Sequence, residues 1–188
     1  TGMNYSFFHH GRPGQPETAY NGGDKALGYP ALAAIAAMNP DFFVGTGDNV
    51  YYDHPVETRA KTVPEMRRKW HEQFVQPRFR ELFSRVPAYW EKDDHDYRYN
   101  DADTTNIPDK SKPTDTALPS HEEGVGIFRE QVPVVDPFGS GDETYRTHRI
   151  NALLQIWLLE GRDFRSPNSA PDSPDKTLWG AAQKEWLQ

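Results

Sequence analysis

The sequence of 188 residues contains no cysteine, which excludes disulfides, zinc–thiolate sites and a thiol nucleophile. Long apolar runs are also missing, because the most apolar stretch, residues 31–38, is far too short to cross a bilayer. Residues 1–5 have none of the features of a signal peptide. The chain also lacks the G-x-x-x-x-G-K-[ST] loop and the G-x-S-x-G turn, so neither a P-loop nucleotide site nor a serine hydrolase is indicated.

Positive charge is in the minority, with 21 basic against 28 acidic residues and a net charge of −7. An acidic chain is a poor non-specific partner for nucleic acid or an anionic membrane. A phosphate substrate is not excluded, because bound cations can invert the local field.

Apolar residues make up only 36% of the chain, and its mean hydropathy is −0.86. The 10 Phe, 9 Tyr and 5 Trp nevertheless argue against disorder. We therefore predict one loop-rich α/β domain over residues 1–188. Residues 1–24 and the polar segment 104–123 are predicted as loops, the second as a surface insertion.

Local patterns predict the regular elements. A capping box begins at Thr62 and favours a helix to about Phe74. The helices are predicted at 30–38, 62–74, after Pro77, at 126–131 and at 178–187; the strands are predicted at 41–45, 86–91, 145–150 and 153–160.

Gly47-Asp48-Asn49-Val50-Tyr51 follows the first predicted strand. Ligands in open α/β sheets bind beyond the carboxyl ends of strands. The two oxygens of Asp48 could bridge two cations, and Tyr51 could offer a phenolate to a hard ion such as iron. The alternative is an ordinary turn with a packed tyrosine.

A second polar stretch, residues 90–103, follows the strand 86–91 and combines carboxylates with His95 and Asn100. Its oxygens suit Ca, Mg and Mn, and its imidazole suits Fe and Zn. His95 could instead give a proton to a leaving alkoxide. The alternatives are a solvated acidic loop or a structural Ca²⁺ site in a non-catalytic domain.

A third stretch, residues 160–167, follows the apolar strand 153–160. Arg162 and Arg165 could bind phosphoryl oxygens with two parallel hydrogen bonds. The alternative is an Arg–Asp pairing that only holds the loop in place.

Taken in order, four segments resemble the alkaline phosphatase D-like phosphatases of the metallophosphoesterase superfamily. They are DFFVGTGDNVYY (41–52), WEKDDHDYRYNDAD (90–103), LEGRDFRSP (159–167) and LWGAAQKEWL (178–187). The resemblance implies part of a four-layer α/β/β/α sandwich. It also implies metal-dependent hydrolysis of phosphomonoesters or phosphodiesters, and export from a bacterial cytoplasm.

The resemblance further implies roles for individual residues. Asp48 would bridge two metal ions, most simply Fe³⁺ and Ca²⁺, while Tyr51 and Asn100 would each bind one. His95 and Arg162 would act on the substrate. Asp94 and Asp101 would contact the metal ligands and hold them in position without binding the ions themselves. The chain departs from the family pattern in lacking a first-strand ligand and the downstream Asp, His and Asn ligands. We therefore expect an internal fragment that is inactive by itself.

Overall fold

The computed structural model describes residues 2–106, 117–134 and 143–188 as a mixed α/β fold. This confirms the predicted fold class. The strands are β1 (Phe43–Thr46), β2 (Ala88–Glu91), β3 (Arg146–Arg149) and β4 (Gln155–Leu158). The helices are α1 (Tyr5–His10), α2 (Pro30–Ala37), α3 (Val63–Phe74), α4 (Pro77–Phe83), α5 (Asp94–Tyr97), α6 (His121–Gln131) and α7 (Gly180–Leu187). Three short 3₁₀ helices lie at Pro16–Thr18, Lys25–Leu27 and Val56–Thr58.

Strands β1 and β2 pair in parallel, from Phe43 opposite Ala88 to Thr46 opposite Glu91. Both strands therefore end at the same edge, and the loops that follow them leave side by side. This parallel register is what brings the first two polar stretches of the sequence together.

Strands β3 and β4 form an antiparallel pair, with Arg146 opposite Leu158. The buried Arg146 ties this pair to the first one, because its Nη2 donates to the backbone oxygen of Trp90 at 2.5 Å. The loop after β4 is thereby held close to the loop after β2.

Helix α3 supplies much of the core beneath the first strand pair. Glu65 closes the predicted capping box by accepting from the Thr62 amide at 3.1 Å. Met66 and Trp70, one turn apart, are both buried, and Trp70 Nε1 donates to the Tyr52 hydroxyl at 2.6 Å. The buried cluster comprises Val50, Tyr52, Ala60, Met66, Trp70, Trp90, Ile127, Phe128, Val132 and Val134.

Two local predictions need correction, and one further helix was not predicted. Helix α1 lies inside the predicted loop 1–24, where the Asn4 side chain caps it by accepting from the Phe7 amide at 3.0 Å. Helix α6 begins at His121, within the predicted loop 104–123, because Ser120 and Glu123 form a capping box. Residues 107–116 of that loop lie outside the described residues. Helix α5 interrupts the acidic stretch 92–103, through a capping box of Asp93 and Asp96.

Arg98, whose side chain is fully buried, binds the chain on both sides of residues 107–116. Its guanidinium donates to the backbone oxygens of Pro119, Asp103, Thr105 and Ala117 at 2.6–2.8 Å. The loop after α5 is therefore anchored from within the protein.

None of the helices in the described ranges has the length and apolarity that crossing a membrane requires.

Candidate metal centre

The loop after β1 and the loop after β2 touch at Gly47. This glycine is buried and has a φ of 93°, and a Cβ added to it would lie 2.6 Å from the Asp93 Cβ. Its missing side chain lets the two loops approach closely. Asp48 follows it with a φ of 53°, in the left-handed region that Asp tolerates better than most residues.

Asn49 and Asp96 join the two loops below the surface. Asn49 donates its backbone amide at 2.9 Å and its side-chain amide at 2.6 Å to the same Asp96 oxygen. The other Asp96 oxygen accepts from the Asp93 amide at 2.7 Å. Burial raises the pKa of Asp96 to about 7, although the amides of Asn49 and Asp93 act in the opposite direction. This pair fixes the relative position of the two loops.

In the part of the chain that the structure describes, two overlapping groups of ligand-type side chains occur on these two loops. Asp48, Asp94 and His95 form one group, and Asp53, His54 and His95 form the other. Within each group the potential ligand atoms all lie within 4.8 Å of one another. Hard carboxylate oxygens together with imidazole nitrogens suit first-row transition metals as well as Ca²⁺ and Mg²⁺, so the donor set fits a metal centre.

Tyr51 lies against both Asp48 and His95. Its hydroxyl donates to Asp48 Oδ2 at 2.9 Å, and its ring stacks on the His95 imidazole with the ring centroids 4.4 Å apart. Burial raises the pKa of Tyr51, and the hydrogen bond to the Asp48 carboxylate raises it further. A bound cation would act in the opposite direction and favour the phenolate.

His95 is oriented by Asp53, whose Oδ1 lies 2.7 Å from its Nδ1. Burial lowers the pKa of His95, but the hydrogen bond to Asp53 and the charges of Asp53, Asp94 and Asp48 outweigh it, so the pKa is raised overall. Asp53 Oδ2 also accepts from the backbone amide of Asn100 at 2.8 Å. Asn100 thus reaches the site through its backbone, while the residue itself is exposed.

Arg162 brings the third predicted stretch to the same place. Its Nε lies 2.8 Å and its Nη2 2.6 Å from Asp93 Oδ1, and Nη2 lies 3.8 Å from Asp94 Oδ1. Asp101 Oδ1 is 3.6 Å from both Arg162 and Arg165. The Asp101 amide also donates to Asp94 Oδ2 at 2.5 Å. The Arg–Asp pairing that the sequence left open as an alternative is therefore present.

The structure brings together Asp48, Tyr51, Asp94, His95 and Arg162, with Asp101 and the backbone of Asn100 beside them. Asp53 and His54 were missed in the sequence. Both follow Asp48 in the same loop, at five and six positions on, and a search for carboxylate and imidazole ligands after that strand would have found them.

Comparison with known proteins defines the class of this chain. A sequence model of the PhoD-like phosphatase family matches residues 19–188, a range that contains every residue of the candidate centre. The chain therefore belongs to the PhoD-like phosphatase family. No curated protein sequence matches it.

Among solved structures, the chain is similar to the one titled "Structure of PhoD", with a TM-score of 0.68 and 22% sequence identity. The match covers 86% of this chain and 36% of that one. At this identity the likeness concerns the fold, and the chain spans about a third of the length of PhoD.

Proposed function

We propose that this chain contributes the centre of a metal-dependent phosphoester hydrolase. The observation that carries the proposal is the convergence of Asp48, Tyr51, Asp94 and His95 at the ends of two parallel strands, in a chain of a phosphatase family. The substrate would be a phosphomonoester or a phosphodiester.

The hydrolysis would use two cations. Asp48 has two carboxylate oxygens with which to bridge them, and Tyr51 and Asn100 would each bind one. A carboxylate oxygen of Asp94 lies within 4.8 Å of one of Asp48, so Asp94 would join these ligands, and the Asp101 amide, which donates to Asp94, would hold it in position. When bound, such ions supply Lewis acidity, which neutralises charge on the phosphate and acidifies water.

Two side chains would act on the substrate itself. Asp53 fixes the Nδ1 of His95, which leaves Nε2 as the second functional nitrogen, and we assign His95 to proton donation to the leaving alkoxide. Arg162 would bind a phosphoryl oxygen. Its partner Asp93 has a side chain that is 49% exposed, so a phosphate could reach the guanidinium from the same side and compete with Asp93 for it.

We propose Fe³⁺ and Ca²⁺ as the two ions. Tyrosine is an established ligand of iron, while carboxylate and amide oxygens such as those of Asp94 and Asn100 suit Ca²⁺. By family, the natural setting would be outside the bacterial cytoplasm.

A visible absorption band tests the role of Tyr51. The iron-loaded, full-length protein is expected to be coloured, and Tyr51→Phe is expected to lose the band while Tyr89→Phe keeps it. A colourless wild-type protein that is fully loaded with metal and active would exclude Tyr51 as an iron ligand.

Removal of metal tests the proposed reaction. Dialysis of the full-length protein against a chelator is expected to abolish hydrolysis of an aryl phosphate, and return of the ions is expected to restore it. Hydrolysis that persists after complete metal removal, or that never occurs in the loaded protein, would contradict the proposal. A loss of helical circular dichroism on dialysis would separate unfolding from simple loss of the ions.

A further inference from the structure

A cavity of about 670 Å³ lies beside the candidate centre, within the size range of small-molecule sites. Its lining includes Tyr5, Ser6 and Lys69, and these three residues also line a much smaller cavity of about 10 Å³ whose wall contains Tyr51 and His54. The large cavity therefore borders the side of the centre formed by the loop after β1.

Lys69 is the distinctive residue of this wall. It lies on α3 and is only 7% exposed. Within the ranges described by the structure, no side chain hydrogen-bonds or ion-pairs with its ammonium, and the nearby charges, Glu72 foremost, act only through space. Burial is accordingly the main influence on the pKa of Lys69 and lowers it.

The little surface that Lys69 keeps lies in a residue that lines this cavity, so its ammonium is the charge that a molecule entering the cavity would meet. Arg68 and Arg12, both exposed, add positive charge to the same cavity, whose lining also contains the carboxylates of Glu57 and Glu72. Arg68 Nε lies 3.5 Å from Glu72 Oε1 in an exposed ion pair. Because exposed ion pairs are weak, the charge of Arg68 remains available to a ligand. An anion that enters the cavity would find in Lys69 a cation that no described side chain already binds.

We propose that this cavity receives the leaving group of the phosphoester, and that Lys69 binds a second anionic group carried by that leaving group. The inference rests on the proposed function and deepens it. It names the substrate class as phosphoesters whose alcohol portion bears a carboxylate or another phosphate. Lys69 selects among substrates and takes no part in the chemical step.

The test compares matched substrates in the full-length, metal-loaded protein. The set is n-butyl phosphate, the same ester with a terminal carboxylate, and the same ester with a terminal phosphate, together with the three hexyl counterparts. At one chain length at least, kcat/KM is expected to be about tenfold higher for an anionic ester than for the uncharged one, because a charge-assisted hydrogen bond is worth that much. The carboxylate and phosphate arms identify which anion is preferred.

Lys69→Met is expected to bring this ratio close to one, and Lys69→Arg to restore part of it. Lys61→Met, which removes an exposed lysine that does not line the cavity, is expected to keep the ratio. An unchanged ratio in Lys69→Met, or an equal loss on charged and uncharged esters, would overturn the inference. The thermal midpoint of Lys69→Met should not fall, since the substitution removes an unpaired buried charge.

Calorimetric binding of the corresponding non-hydrolysable phosphonates separates this inference from the proposed reaction. Tighter binding of the terminally charged phosphonates, lost in Lys69→Met, supports the anion site even if no ester is hydrolysed, in which case only the proposed reaction fails. Hydrolysis of every ester without preference for the charged ones, and equal binding of all phosphonates, would overturn the anion site alone.

Discussion

Replacing Asp48 with Asn is expected to lower kcat/KM for an aryl phosphate at least about 100-fold in the full-length protein. Several kcal/mol of transition-state stabilisation depends on the ions that this carboxylate would bridge. Asn is chosen because it tolerates the positive φ of 53° at this position. The fold should therefore survive while one anionic ligand is lost.

Asp41→Asn provides the matched control, because Asp41 is exposed and precedes β1 by two residues. We expect that variant to retain wild-type kinetics. An Asp48→Asn enzyme with unchanged kcat/KM would remove Asp48 from the centre and, with it, the assignment of the loop after β1.

Replacing Lys92 with Met is expected to lower the free energy of unfolding by about 3–5 kcal/mol, the usual loss when one partner of a buried ion pair is removed. The Lys92 side chain is completely buried and pairs with Glu160 and with Asp163 Oδ1, the latter at 2.6 Å. The Thr144 hydroxyl donates to Asp163 Oδ2 and lies 3.2 Å from Glu160 Oε2. Without Lys92, two buried carboxylates would share the site with no cation. Urea denaturation at neutral pH measures the change.

The loss should shrink as the pH falls. Burial raises the pKa of Glu160 in the folded protein, and the charge of Lys92 opposes this effect, so removing Lys92 raises the pKa further. A carboxyl with a raised pKa binds its proton more readily in the folded than in the unfolded state, so stability increases towards acidic pH.

Arg85→Met supplies the control for this prediction, because Arg85 and Glu81 form an exposed pair with side chains 64% and 60% exposed. That variant is expected to change the free energy by less than about 1 kcal/mol. A Lys92→Met protein that is as stable as wild type at neutral pH would contradict the structural role of the buried pair.

Local sequence signals predicted most of the regular elements and the three loops that form the site. The capping box at Thr62, the proline starts of α2 and α4, and the apolar run before Gly47 act over a few residues, and these signals are visible in the sequence. The order of strand, loop and polar motif then placed Asp48 and His95 at strand ends, and the parallel pairing of β1 with β2 brings them together.

Pairings between distant side chains could not be predicted in this way. The Asn49–Asp96 pair spans 47 positions and the Arg162–Asp93 pair spans 69, and no local pattern in the sequence marks either partner. For the same reason, no local pattern marks the burial of Lys69 on α3, which shares a cavity wall with Tyr5 of the N-terminal segment.

The most direct measurement is the metal content of the full-length protein after loading with iron and calcium, with Asp48→Asn measured beside it. If the three loops form a metal centre for phosphoester hydrolysis, the wild-type protein should retain two ions per chain after exhaustive dialysis and the variant should lose them. A protein that retains no ion, or a variant that retains the same ions as wild type, would contradict the assignment of this centre.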